Sequence, residues 1–149
     1  IDKLHEEKEI GLTKFDYFKN FADDVKNQIK IIREELINLK QQGFRIAGFG
    51  ASGRATILAN LCDLGNDFIE YVVDESPERC NRFIAGKHIP IVSKEHLLNN
   101  KPDFILIFAW NFSKMIIEKL EGNDFKYIIP LPTFKIVKNY SELGEFVSI

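Results

Sequence analysis

The chain is poor in the residues that mark several functional classes. It holds two cysteines, one methionine, one tryptophan and three histidines in 149 residues. Cys62 and Cys80 stand apart, with no C-x-x-C and no paired histidine spacing, so two reduced thiols are expected rather than a disulfide or a zinc site. No apolar run approaches the roughly 18 residues of a membrane span, and no secretory signal is visible. A formal charge of −2 gives neither a nucleic-acid footprint nor a polybasic membrane patch. These absences lead to an expectation of a cytoplasmic protein. The chain opens at Ile1 and its single methionine is Met115, so a piece of a longer protein is expected, with any upstream activity outside it.

What is present is an ordinary apolar share of 45% and one glycine-rich stretch. Phe44 to Thr56 reads as a short apolar run, then Gly48, Gly50 and Gly53, then a helical pattern. This is G-x-G-x-x-G in its required strand–turn–helix setting. In that setting Gly48 permits the exit from the strand, Gly50 leaves the backbone bare toward a ligand, and Gly53 lets the helix pack close. The amides of Ala51, Ser52 and their neighbours at the helix start attract a phosphate, and Arg54 adds a charged donor fork. A glycine turn that binds nothing is the alternative.

Residues 1–15 are charged and weakly periodic, and read as a linker or entry. Residues 16–149 read as one domain. Phe18, Ala22, Val25, Ile29, Ile32, Leu36 and Leu39 alternate gaps of four and three, which places them on one face of a long helix over 16–42, stopped by Gly43. The same spacing suits a coiled-coil seam between two copies. A helix lying across the sheet is preferred, because a domain of this size needs that apolar surface.

Strands are expected at Phe44–Phe49, Phe68–Val73, Ile89–Val92, Phe104–Ala109 and Lys126–Pro130, with one more strand-like piece at Phe134–Val137. Helices are expected at Ala55–Leu64, carrying Ile57, Leu58, Leu61 and Leu64 inward, and at Lys94–Asn99 and Ser113–Glu121. The alternation implies a Rossmann-like α/β fold, a parallel sheet of order 3-2-1-4-5 with a long helix at its start. Asp74 closes the second strand, placed either to hold a ribose hydroxyl or to start the turn through Ser76 and Pro77. Arg79, Arg82, Lys87 and His88 populate the following loop, which suits a diphosphate if they converge. Trp110 and Asn111 lie where a strand ends in an open sheet, or else fill space and cap the next helix.

Three stretches together resemble a known family: Gly48-Phe-Gly-Ala-Ser-Gly-Arg54, the segment Asp74 to Ile91 with Gly86-Lys-His-Ile-Pro90, and Pro102-Asp-Phe-Ile-Leu-Ile-Phe-Ala-Trp-Asn111. From about Phe18 to Pro132 the chain resembles the C-terminal domain of sugar C-methyltransferases acting on nucleotide-linked deoxysugars. The resemblance implies an upstream zinc domain and an upstream S-adenosylmethionine domain. It also implies that this third domain holds the nucleotide-sugar, or a related phosphorylated small molecule, against the methyltransferase domain, with no cofactor of its own and no methyl transfer alone. Gly48, Gly50, Ala51 and Ser52 match the family's glycine loop, and Trp110 and Asn111 its tryptophan–asparagine pair. Arg54 and Arg79 replace lysines. Asn81 stands for a frequent glycine, Ala85 for a proline, and Met115 lies near a usual glutamate.

Two other functions remain in view. An NAD(P)-dependent oxidoreductase gains from the glycines and Asp74, but lacks a tyrosine–lysine pair and a partner for His88. A structural module would use residues 18–39 to form a homo-oligomer.

Overall fold

A computed structural model describes residues 2–144. The elements run α1 (Asp2–Ile10), α2 (Phe15–Gln41), β1 (Ile46–Phe49), α3 (Gly53–Leu61), β2 (Val72–Val73), β3 (Ile91–Val92), α4 (Lys94–Asn99) and β4 (Phe104–Ile107). A 3-10 turn (Trp110–Phe112), α5 (Ser113–Lys119), β5 (Lys126–Ile129), β6 (Lys135–Val137) and a second 3-10 turn (Tyr140–Leu143) complete the order.

One sheet orders the strands 3-2-1-4-5-6. The expected core order is present, and β6 extends it as an antiparallel edge on β5, with Tyr127 opposite Val137. All other pairings are parallel. The apolar run on β4 is continuous because both of its faces are covered. Phe104, Leu106 and Phe108 enter the core half beneath α2 and α3, and Ile105 and Ile107 enter the half beneath α4 and α5. At the amino edge Arg45 ties strands together, with two bonds to Glu70 at 3.1 and 2.7 Å and a third to the Lys101 carbonyl.

Within the entry segment residues 2–10 form α1, and Lys3–Ile10 all remain exposed. Two expectations need correction. Of the residues expected inward around α3, Leu58 and Leu64 are buried but Ile57 and Leu61 face solvent; Ala55, Ala59 and Cys62 fill the buried face in their stead, because small residues let the helix lie close to the sheet. The α2 stripe is buried only at Ile32, Leu36 and Leu39. A 27-residue helix is about 40 Å long, whereas four-residue strands span about 13 Å. The sheet therefore covers one end of α2, and Phe15, Phe18 and Phe21 are 80%, 54% and 61% exposed. Arg33 fastens the covered end by donating to the Cys62 and Asp63 carbonyls that close α3. Among the described residues no helix is long and apolar enough to cross a membrane.

Candidate functional site

β1 leads into α3 on one face of the sheet, and its neighbour β4 leads into α5 on the other. Adjacent strands whose chains depart to opposite faces leave a crevice at their carboxyl ends, the place where open α/β sheets bind ligands. Here the two turns touch. Gly50 has φ +92°, and a Cβ built on it would lie 2.9 Å from the Ala109 Cβ. Gly48 lies within β1, where a Cβ would meet the Phe108 ring at 2.6 Å. A Cβ on Gly53 would meet open space, so close helix packing is not its role. Two glycines thus serve the scaffold, and the third leaves the start of α3 uncovered.

The turn's amides are divided between structure and solvent. Ala51 N–H donates to Asp74 Oδ2 at 2.7 Å, and Ser52 N–H donates to the Gly50 carbonyl at 2.9 Å. Gly53 and Arg54 N–H find no acceptor among the described residues, as the first amides of a helix do without a cap. Ser52 occupies the N-cap position without bonding them, and its buried hydroxyl has no partner. Among the described residues no oxygen takes the place of a capping side chain there.

Asp74 is buried, and both its oxygens are occupied. Besides Ala51, it accepts from Ser76 N–H at 2.9 Å and from Arg79 at 3.2 and 3.4 Å. The turn-starting geometry is present, joined to a brace on the glycine turn that the spacing gave no sign of. Arg79 stands half exposed at this edge.

Arg54 lies over two rings, 5.3 Å from the Trp110 centroid and 5.8 Å from that of Phe112. No carboxylate pairs with it among the described residues. Trp110 packs against both halves of the core. It also lines an open cleft of 450 Å³ shared with Asn111, Lys114, Tyr140 and Ser141. Asn111 does not cap α5: Phe112 holds that position, and the Asn111 side chain has no hydrogen bond among the described residues. Ser113 Oγ donates to the Trp110 carbonyl.

The basic loop does not converge. Residues 81–84 run back along β3, with Asn81 N–H on the Ile91 carbonyl and Ile84 N–H on that of Ile89. Arg79 therefore stays at the carboxyl edge while Lys87 and His88 reach the amino edge. Lys87 pairs there with Asp63 beyond the far end of α3, and His88 turns the chain at φ +53°. His88 is thus apart from Trp110 and Asn111. Lys114 and Tyr140, which the structure adds to the site, had a weak signal in the sequence. The tail around Tyr140 reads as plain polar residues until Leu143 is seen anchoring it in the core.

A family profile described as "C-methyltransferase C-terminal domain" matches residues 2–132. The C-methyltransferase NovU of Streptomyces niveus is 30% identical over 145 residues, covering 95% of this chain and 34% of that protein. The chain spans about a third of the length of the curated relative it matches.

Proposed function

The chain belongs to the family of C-methyltransferase C-terminal domains, and on that premise we propose that it is the substrate-holding part of an S-adenosylmethionine-dependent methyltransferase. Its ligand on this reading is a nucleotide-linked sugar or a related phosphorylated molecule, held against an upstream methyltransferase domain. The observation that carries the reading is the pair of amides at Gly53 and Arg54 without an acceptor among the described residues, set where β1 and β4 end, beside a guanidinium with no acid partner among those residues. Two N–H donors at the positive end of a helix favour a phosphate, and Arg54 needs only to leave an aromatic face to add a bidentate contact.

On this reading methyl transfer, with its zinc and S-adenosylmethionine, belongs to upstream domains of the parent enzyme. The chain's own work is binding and orientation. An NAD(P) role is less favoured, because Asp74 would have to release Ala51 and Ser76 before gripping a ribose. Calorimetric titration with uridine diphosphate tests the reading. Arg54→Ala should weaken binding by about 1.5–3 kcal/mol, the usual worth of a hydrogen bond to a charged group. Unchanged affinity would remove Arg54 from the site.

A second reading is favoured by the uncovered phenylalanines of α2. They continue the stripe that is buried lower down, and suit docking onto another surface, either the upstream domain or a second copy.

A further inference from the structure

We propose that the cleft beyond Trp110 seats the nucleobase end of the phosphorylated ligand, an inference that rests on the phosphate seat proposed above. The conventional place for a nucleoside, beside the acid that ends the second strand, is closed. Asp74 is buried and already accepts from Ala51, Ser76 and Arg79. Trp110 instead links the phosphate seat to a cleft: Arg54 lies 5.3 Å from its ring centroid, and the same residue lines the 450 Å³ cleft. Ligand pockets commonly enclose about 300–1,000 Å³, which leaves room for a nucleoside.

The lining matches a base in three respects. Trp110 and Tyr140 offer aromatic surface for a flat ring. The Asn111 amide has both a donor and an acceptor unspent, as the edge of a base requires. Among the described residues Lys114 is the one cation that lines the cleft and no carboxylate lines it; its Nζ lies 5.8 Å over the Tyr140 ring without an acid partner among them. An ammonium there donates to a base carbonyl. A sugar also packs its C–H face on aromatic rings, so it is the comparison of probes that separates base from sugar.

The sole tryptophan of the chain is Trp110, so its fluorescence reports binding directly. The experiment titrates the full chain with inorganic pyrophosphate, uridine diphosphate and uridine diphosphate glucose. Uridine diphosphate is expected to bind at least tenfold more tightly than pyrophosphate. Asn111→Ala and Lys114→Met, both at exposed positions that leave the core intact, are expected to erase that advantage while leaving pyrophosphate affinity unchanged. Arg54→Ala is expected to weaken both. Equal affinity for pyrophosphate and uridine diphosphate, or an advantage untouched by the two cleft variants, overturns the assignment of the cleft while the phosphate seat stands. A gain confined to the glucose conjugate and lost in Asn111→Ala gives the cleft to the sugar, and overturns it too. Failure of all three probes to bind overturns the phosphate seat, and with it this inference.

Discussion

Asp74 accepts the Ala51 amide at 2.7 Å from within the protein, so the acid ending the second strand holds the glycine turn in shape. Its second oxygen starts the next turn on Ser76, and Arg79 neutralises the pair. One carboxylate therefore fixes two loops at the carboxyl edge. Asp74→Ala should cost about 2–3 kcal/mol in urea unfolding, since it strands a buried amide that bonds to a charged acceptor. Asp74→Asn, which keeps an acceptor oxygen, should cost less. Equal, negligible losses in both would show that the brace contributes nothing.

Gly50 and Gly53 should separate cleanly under substitution. Gly50→Ala meets a positive φ and the Ala109 Cβ together, and should destabilise by about 1–3 kcal/mol. Gly53→Ala opens onto free space in a helix and should be neutral or stabilising by up to about 1 kcal/mol. Thermal unfolding of the two variants decides it. Matching losses would mean that the motif acts as a unit, contrary to the packing.

Much of this architecture was legible in the sequence, for definite reasons. Phe104 to Phe108 is apolar on both faces, which only a doubly covered strand permits, and Ser93 before Lys94 marked the start of α4, where its hydroxyl accepts from His96 N–H. The α3 face was misread because Ile57 and Leu61 outrank Ala55 and Ala59 in hydrophobicity, while close approach to a sheet selects small residues. Arg79 and His88 are neighbours in sequence yet reach opposite edges, because the hairpin at residues 84–88 reverses the chain between them. The Asp74–Ala51 bond joins residues 23 apart and leaves no pattern in composition or period.

Alkaline pH should loosen the fold in stages. Burial pushes the Cys62 thiol up to about 11 from 9.0. It pushes the Tyr71 and Tyr127 hydroxyls up to about 12 from 10.0. The folded state thus retains protons that the unfolded chain gives up. The Cys62 share of stability is whole below pH 9 and is lost as pH rises toward about 11. The melting temperature should fall across that window, and Cys62→Ala should flatten the fall. An unchanged slope in the variant would contradict the assignment.

The uncovered end of α2 makes a prediction about association. Sedimentation velocity of the chain should show concentration-dependent self-association that disappears in Phe18→Asp, a change at a position 54% exposed that leaves the core untouched. A monomer at every concentration would exclude a second copy as the partner of this face.

The central claim is that the Gly53 and Arg54 amides receive an anion. Amide proton–nitrogen spectra recorded during a pyrophosphate titration test it most directly. The account predicts that these two resonances shift furthest and saturate together, with Ala51, already bonded to Asp74, moving little. Saturable binding that leaves Gly53 and Arg54 unmoved would contradict it.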